Sequence, residues 1–553
     1  FKQKTAYEML RSLVGSEMCI RDRDNIEILP GLVTERTIEL TPISLELEEY
    51  VVLAPHIEGG IASLQQEKKE VSTVADVIGA EQMTKSGDSD AAAALKRVTG
   101  LTVVGGKYVY VRGLGERYSC TLLNGSLLPS PEPERRVVPL DIFPTNILES
   151  IIITKTFSPD LPGEFGGGAV LLRTRGVPDD FFFKASISVG YAFGDTFTQG
   201  ISYRGGTTDW LGIDDGTRAL PKLIADQGEK KLVEKTPFQQ EGFTAEEIER
   251  FGEAMPNTWS ARSTLTAPPL GLAIMGGDRF KFGEHAFGIL GSFSYGYDTG
   301  NVTKTKSSFA QGSEGDLVLE RKLRYDIANT NVKMGGILDL GYFIGDDHKI
   351  GSTMLLIRTT DNDTAVAEGF NREIADDIRI TRLGWVEQML IAEQVRGSHL
   401  FRLASERWKL RPEYRYTFST GTRYEPDRRM TRYDHTKDEE GNDLWILTPA
   451  TLSNERLYSD LTDLNHEVGA DIGLEFPLWL ELTGLFKQGF SFFHKEREVD
   501  TRRFQFGKGP KDAAIRSLPP EELFSPDNIG PEKNQFVLPV SYTHLTLPTI
   551  YSV

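Results

Sequence analysis

The chain has 553 residues, a net charge of −18 and a mean hydropathy of −0.30. Such an acidic chain lacks the basic surface typical of nucleic-acid-binding proteins, so we expect no nucleic-acid partner. No stretch approaches the run of about 18 apolar residues that a membrane-spanning helix needs. Composition alone leaves open a soluble all-β protein or a membrane β-barrel, in which only alternate residues meet lipid.

The two ends of the sequence differ from the rest of the chain. Residues 1–23 lack the basic start and apolar centre of a signal peptide, and they resemble translated adapter sequence, as do residues 541–553. We exclude both flanks from the fold and expect the native N-terminus, with any signal peptide, to be missing. Cys19 and Cys120 are far apart with no ligand-like spacing, so we predict neither a zinc site nor a disulfide framework.

Alternating residues in the region 24–55 predict the end of a small β module. Its last part is a short β-prone run before a proline, formed by Glu49, Tyr50, Val51, Val52, Leu53 and Ala54. An extended segment of this kind can add a strand to the exposed sheet edge of a partner. An ordinary edge strand or linker is the alternative. Residues 56–70 then predict a polar linker, and Val71–Met83 predicts an amphipathic helix.

Glycine marks the turns of the region 71–178, which predicts a small α+β domain. Asp88 or Ser89 can cap a short helix over Ala91–Val98, and Gly100 follows as its stop. Gly105-Gly106 predicts a hairpin, because glycine adopts positive φ without strain. A further turn is predicted at Asn124-Gly125, with strands at Ile151–Lys155 and Ala169–Thr174.

The order of short motifs in this region resembles the plug domain of TonB-dependent outer-membrane receptors. The motifs are VRGLGERY, LLNG, PLDIFP, ESIIITK and PGEFGGGAV, between Val111 and Val170. The resemblance implies a plug that sits inside a β-barrel and import coupled to the TonB complex. It also implies that Glu49–Ala54 is the TonB box, the segment through which that complex acts.

Two groups of plug residues are candidates for contact with the barrel. The charged residues of the first motif can form charge-assisted contacts with the inner wall, although a solvated turn with surface ion pairs is the alternative. The glycines of the last motif can let the backbone pass close to the wall. These residues are Arg112, Glu116 and Arg117, and Gly163, Gly166, Gly167 and Gly168.

From Phe181 onward, apolar and polar residues alternate over long runs, at residues 183–193, 287–297, 331–343, 408–418 and 466–476. Each run reaches the roughly 9–11 residues that cross a bilayer at a tilt, whereas a soluble strand has roughly 5–6. One face is aliphatic and aromatic and the other carries charges, which fits lipid outside and water inside. The sequence therefore predicts a mainly β fold, an antiparallel transmembrane β-barrel over 179–540 with the plug inside.

Connection lengths support this prediction. Short connections at 282–285, 345–348 and 477–480 alternate with long polar ones at 195–270, 299–328, 361–383 and 419–464. Short turns on one side and long loops on the other are typical of outer-membrane barrels. We count about nine of the roughly 22 strands that the resemblance implies. We therefore expect an incomplete barrel that neither inserts nor transports by itself.

The first long connection holds candidate ligand contacts. Thr244 and Glu247 have the spacing of a capping box, which predicts a helix there. Four other residues could meet a ligand from outside, although a loop packed on its own helices is the alternative. They are Trp210, Asp214, Asp215 and Trp259.

No HExxH, GxSxG, Walker or paired-cysteine motif occurs, so we predict no enzyme, cofactor or metal. The resemblance implies a receptor in the outer membrane of a Gram-negative bacterium that imports a small external ligand into the periplasm. Its expected partners are TonB and the outer-membrane lipid. An adhesion or signalling receptor that uses the same frame without import is the alternative, and a soluble β-sheet scaffold is a third.

Overall fold

The computed structural model describes residues 75–552 except 116–117, 136, 160, 164–165, 229, 231, 236, 238–240, 313–314, 404–406, 449–452, 479–481, 533–534 and 539. At 508 and 540–552 it describes the backbone only. The chain divides into two compact units, Phe1–Pro55 and His56–Val553. The predicted flank 1–23, the β module 24–55 and the linker 56–70 lie outside the described residues.

The described part of the plug begins with a strand rather than a helix. Ala75–Gly79 is strand β1, and only Ala80–Ser86 is helical, as α1. The helix predicted over Val71–Met83 is therefore wrong over Ala75–Gly79 and confirmed only over Ala80–Met83. Strand β1 pairs antiparallel with Leu148–Thr154 (β6), where Val77 lies opposite Ile152. Cross-strand packing of β-branched side chains outweighs the helical spacing of the apolar residues.

The second helix is shorter than predicted and has a different cap. It spans Ala91–Leu95 (α2), and the carboxylate of Asp90 accepts a hydrogen bond from the backbone N–H of Ala93 at 2.9 Å. Asp88 instead forms an ion pair with Arg97 at 2.6 Å, so it does not cap the helix. Gly100 follows with φ of 76°.

A five-stranded sheet organises the rest of the plug, in the order β1-β6-β7-β4-β5. Its further strands are β4 (Ser119–Leu123), β5 (Ser126–Leu127) and β7 (Gly168–Thr174), and a separate hairpin consists of β2 (Leu101–Val104) and β3 (Tyr108–Val111). Gly105 and Gly106 have φ of 63° and 73°, and Asn124 and Gly125 have φ of 47° and 87°. Both predicted turns are confirmed.

The wall is one antiparallel sheet in the order β23-β20-β19-β17-β15-β14-β13-β12-β11-β8. Its strands are β8 (Phe182–Val189), β11 (Leu270–Phe282), β12 (His285–Gln311), β13 (Leu317–Ile344), β14 (His348–Asn371), β15 (Asp376–His399), β17 (Lys409–Lys437), β19 (Asn454–Pro477), β20 (Thr483–Phe504) and β23 (Val540–Ser552), with β16 (Phe401–Arg402) and β18 (Asp443–Leu447) beside β17. In the described part of the chain β8 and β23 do not pair, so the sheet is open. The predicted mainly β fold with an incomplete barrel is confirmed.

The end of the sheet differs from the prediction. We expected residues 541–553 to take no part in the fold, whereas Val540–Ser552 pairs with β20. The unpaired N–H and C=O groups of an edge strand accept an extended segment readily, whatever its sequence.

Three of the predicted long loops are mostly strand. The connection between β12 and β13 is only 312–316 and that between β14 and β15 only 372–375, so paired strands fill most of 299–328 and 361–383, and β17 and β19 continue through much of 419–464. Strand β13 has 28 residues, and at roughly 3.3 Å each it is about 90 Å long, far more than a bilayer needs. Polar residues do not end the pairing, because a paired strand can carry polar side chains on both faces wherever those faces meet water or other protein.

The two faces of the wall are distinct. On β12, Ser292 accepts a hydrogen bond from Asn146 of the plug at 3.3 Å, whereas the neighbouring Phe293 is 45% exposed on the opposite face. The outward residues form an exposed apolar belt, defined here as Phe287, Phe293, Leu338, Met354, Leu356, Tyr414, Tyr416 and Phe490. The predicted alternation is confirmed by these positions.

Two connections pack together on the outward face, and we call them the collar, residues 190–269 and 505–538. The collar contains the hairpin β9 (Gln199–Ser202) and β10 (Arg262–Leu265), the pair β21 (Gly507–Lys508) and β22 (Phe536–Val537), and helices α3 (Lys222–Ala225), α4 (Ala245–Ala254), α5 (Ala513–Arg516) and α6 (Pro520–Leu523). The capping box of Thr244 and Glu247 at α4 is confirmed. Collar residues share an apolar core with Tyr458 of β19. Tyr458 lies nine residues before Glu467, which faces the plug, and side chains an odd number of residues apart on a strand point to opposite faces, so Tyr458 is on the outward face. No helix in the described residues is long and apolar enough to span a membrane.

Candidate functional site at the plug–wall interface

The segment that follows the Asn124-Gly125 turn makes the densest polar contacts between plug and wall. The Ser126 hydroxyl lies 2.8 Å from that of Thr417. The backbone N–H of Leu127 donates to the Glu467 carboxylate at 2.9 Å. These contacts come from a two-residue strand and the residues after it, which the tight turn projects from the plug sheet towards the wall.

The same segment continues to Ser130 and Glu132. The backbone N–H of Ser130 donates to Asp463 at 3.0 Å. The Glu132 carboxylate accepts from Gln388 at 2.9 Å and lies 3.8 Å from the guanidinium of Arg423. The plug therefore presents both donors and a carboxylate to a wall that carries both charges.

A second group of contacts joins the plug to β13 and β14. Lys333 of the wall lies 3.2 Å from the carboxylate of Asp90, the helix cap, and donates to the carbonyl of Asp141 at 3.1 Å. Lys107 of the plug lies 3.7 Å from Asp141 and 3.8 Å from Asp361 of the wall. Two lysines therefore sit among three carboxylates, and charge is close to balanced across the interface.

Apolar packing lies between these polar groups. The plug core extends onto wall residues that include Ile337, Leu355 and Leu390. Gly335 of the wall leaves room for Pro144 of the plug, because a Cβ at position 335 would lie 2.7 Å from the Pro144 ring. The interface thus combines an apolar centre with polar contacts.

Of the three charged plug residues predicted to contact the wall, the structure describes Arg112. Arg112 has φ of 53° and is exposed, and within the described ranges no ion pair joins it to the wall. Glu116 and Arg117 lie outside the described residues, as does the segment Glu49–Ala54. The contacts that the structure does show involve residues that the sequence analysis did not single out. A signal was present for Lys333 and Glu467, which occupy the charged face of predicted wall strands.

The glycines of the last plug motif approach the plug itself rather than the wall. A Cβ on Gly168 would lie 2.7 Å from Val111, and one on Gly167 would lie 2.9 Å from Leu114. Gly166 and Gly167 both donate their N–H to the carbonyl of Tyr118, at 3.2 and 2.7 Å. A Cβ on Gly163 would meet no atom within 4 Å. Gly166, Gly167 and Gly168 are therefore explained by the close packing of the start of β7 against the end of β3 and the segment after it.

The predicted ligand residues of the first long connection do not form one site. Trp259 is 2% exposed in the collar core, where its ring centroid is 4.9 Å from that of Phe524. The Asp215 carboxylate accepts hydrogen bonds from Thr217 and Thr207, which hold the pKa of this exposed carboxyl well below its usual range. Its hydrogen bonds therefore go to neighbouring residues of the same loop. For these two residues the contacts are those of a loop packed on itself.

Trp210 and Asp214 belong to a segment that lies on the outward face of the wall. The Tyr295 hydroxyl donates to the carbonyl of Trp210 at 2.5 Å, and the N–H of Asp214 donates to Glu387 at 2.7 Å. Glu387 is next to Gln388, which bonds to the plug, so the two side chains point to opposite faces. The segment is therefore separated from the plug by the wall.

No group of three or more His, Cys, Asp or Glu side chains is placed to hold a metal ion within the residues that the structure describes. The site is therefore characterised by hydrogen bonds and ion pairs across a boundary between two parts of one chain.

Comparison with known proteins identifies the plug. Residues 67–170 match the family model for the TonB-dependent receptor plug domain. Comparison with curated proteins gives no match. The resemblance of this region to a TonB-dependent receptor plug is confirmed.

The solved structures that are similar to this chain include one transporter and two receptors. For the ferric citrate transporter FecA in its unliganded form, identity is 11%, coverage 80% of this chain and 64% of that chain, and the TM-score 0.31. For the open form of the ferric-catecholate import receptor Fiu from E. coli K12 the values are 11%, 87%, 66% and 0.39. For BauA, the ferric preacinetobactin receptor from Acinetobacter baumannii, they are 10%, 86%, 68% and 0.29. The chain thus spans less than two thirds of the length of the first two.

Proposed function

We propose that this chain, which carries the plug domain of a TonB-dependent receptor, belongs to an importer in the outer membrane of a Gram-negative bacterium. The importer binds a small ligand from outside and moves it into the periplasm. One observation supports this proposal best. The plug contacts the inner face of the wall through hydrogen bonds and ion pairs, and when these separate, the buried carboxylates of the wall still have a cation beside them. The complete importer has a closed barrel, of which the described wall is a part.

Two of the wall carboxylates that the plug contacts, Asp463 and Glu467, have cationic partners of their own within the wall. Asp463 lies 2.8 Å from Lys495 and 3.6 Å from Arg497, both on β20. Glu467 lies 3.3 Å from Arg415 of β17. When the plug leaves, each carboxylate keeps a cation, so the cost of an unpaired buried charge, about 3–5 kcal/mol, does not arise.

The energy for moving the plug comes from a partner and not from chemistry within this chain. We propose that TonB pairs with Glu49–Ala54 by strand addition and pulls on it. The first described element after that segment is β1, which lies at the edge of the plug sheet and pairs there only with β6. The ion pair of Asp76 with Lys155, at 2.5 Å, holds the beginning of that strand. Pulling from the N-terminal side therefore loads an edge strand first, which separates with fewer hydrogen bonds broken than a central strand.

Deletion of Glu49–Ala54 in the full-length receptor tests this proposal. We expect the deletion to abolish binding of the soluble periplasmic domain of TonB and to abolish ligand uptake, while binding of ligand to whole cells persists. Deletion of the equally long linker segment 58–63 is the matched control and should retain both. Unchanged uptake after deletion of Glu49–Ala54 contradicts the coupling assignment. Ligand that binds to intact receptor but never reaches the periplasm favours an adhesion or signalling receptor instead.

A further inference from the structure

We propose that the collar segment 203–218 is a membrane anchor that holds Trp210 and Ile213 in the interface of the outer leaflet. The occupant of this surface is therefore lipid, and the ligand role predicted for Trp210 is replaced by a structural one. This inference rests on the proposed function in one respect, because it requires the wall to lie in the outer membrane.

The first argument is the side of the wall on which the segment lies. The carbonyl of Gly212 accepts hydrogen bonds from Thr360 at 2.7 Å and from Arg358 at 3.1 Å. Thr359, between them, lies opposite Lys333, whose ammonium bonds to the plug. Because neighbouring side chains of a strand point to opposite faces, Arg358 and Thr360 point away from the plug. The segment is on the face that carries the apolar belt.

The second argument is height. Tyr295 lies ten residues after the first residue of β12, and Arg358 lies ten after the first residue of β14. Ten residues rise about 33 Å along a strand, which becomes about 23 Å across the membrane at a tilt of about 45°. The apolar band of an outer-membrane barrel is about 25 Å tall. The segment therefore meets the wall where the strands leave the hydrocarbon.

The third argument is that the segment is held rigidly. The guanidinium of Arg218, a residue 1% exposed, donates to Asp209 at 2.6 Å, to Asp214 at 3.0 Å and to the Tyr203 hydroxyl at 3.0 Å. It also lies 4.0 Å from the centroid of the Trp385 ring on the wall. A buried cation with this many partners fixes both ends of the segment to the strand surface.

The fourth argument is what this rigid segment leaves exposed. Trp210 is 59% exposed and Ile213 is 40% exposed, and the other exposed residues of the segment are polar or glycine. The belt residues Phe293 and Met354, at 45% and 44%, lie on the same face nearer the short turns. Tryptophan is enriched at the membrane interface, where its ring packs with lipid and its N–H reaches water. An exposed tryptophan directly above an apolar belt has the position of such an anchor.

Quenching of tryptophan fluorescence by spin-labelled lipid tests the proposal. The full-length receptor is reconstituted into phosphatidylcholine vesicles that contain a lipid with a nitroxide either on the headgroup or within the acyl chain. The quenched fraction is compared between the unmodified receptor and Trp210→Phe, a mild change. Trp259→Phe is the matched control, because Trp259 belongs to the same collar but is 2% exposed.

We expect headgroup-labelled lipid to quench the unmodified receptor, and Trp210→Phe to remove about half or more of that quenching, since Trp210 lies at the interface. Trp259→Phe should leave the quenched fraction unchanged. The inference is overturned if aqueous iodide quenches Trp210 while headgroup-labelled lipid does not.

A further variant separates this inference from the proposed function. Phe293→Trp introduces a reporter in the apolar belt, and acyl-chain nitroxide should quench it strongly. Quenching of that reporter without quenching of Trp210 refutes the anchor alone. Absence of quenching at position 293 places the wall outside the bilayer and overturns both.

Discussion

Substitution of Asp427 by Asn should detach the collar from the wall. The Asp427 carboxylate is fully buried and is shared by two arginines, Arg429 at 2.6 Å and Arg456 at 2.7 Å. Both side chains are nearly inaccessible, at 3% and 1% exposure. Asn keeps the shape and suits the φ of 53° at this position. The change is therefore one of charge, and it leaves two buried cations without an anion.

The expected cost is about 3–5 kcal/mol, the usual effect of removing one partner from a buried ion pair. Arg429 also donates to the carbonyl of Thr258, and Arg456 lies 5.0 Å from the centroid of the Trp259 ring, so the network joins the wall to the collar. The loss should appear as local opening of the collar rather than as unfolding of the wall. An opening free energy lower by about 3 kcal/mol raises the open population by about 100-fold.

Limited proteolysis under native conditions measures this opening, because cleavage within residues 200–270 follows the open population when closing is fast. Arg429→Met is the matched control. It leaves Asp427 paired with Arg456, so the loss is that of hydrogen bonds to a charged group, about 1–3 kcal/mol. If Arg429→Met accelerates cleavage as much as Asp427→Asn, the argument from uncompensated charge is refuted.

Two further predictions concern the plug and the tips of the strands. Gly168→Ala should destabilise the plug by about 1–3 kcal/mol, since its Cβ would lie 2.7 Å from Val111; hydrogen exchange of the β7 amides should accelerate, whereas Gly163→Ala should have no effect. The hydrogen bond from the partly buried His435 to Asp376 raises the pKa of His435 above 6.5. The stabilising contact is therefore complete below pH 6.5 and is lost as the pH rises through the raised pKa; NMR titration should show a lower pKa for His435 after Asp376→Asn.

The plug and the wall were predictable from the sequence for different reasons. The plug turns depend on two adjacent residues, such as Gly105 and Gly106, whose backbone preference is local. The wall depends on alternation over ten residues or more, which is also local. Neither feature requires knowledge of which segments meet.

The contacts of the site were not predictable because they join distant parts of the chain. Lys333 and Asp90 are 243 residues apart. They meet because of the register in which the wall strands pair around the plug, and the sequence pattern does not reveal this register. The position of the collar was not predictable for the same reason. A polar segment such as 203–218 could cover the mouth of the barrel or its outer surface, and only the pairing of its carbonyls with Tyr295 and Thr360 decides between them.

The two faces of the wall hold their partners in physically different ways, and this difference fits the proposed import. On the outer face, the two arginines that contact the collar at Thr258 and Trp259 are paired with Asp427 of the wall, which has 0% side-chain exposure. Separating these charges is expensive, so the arginines keep their contacts with the collar. On the inner face, the contact of Lys107 with Asp361 has side-chain exposures of 33% and 27%, so water can solvate both groups when they separate. A part that must remain is therefore fixed by buried charge, and a part that must move is held by contacts that water or the wall itself can replace.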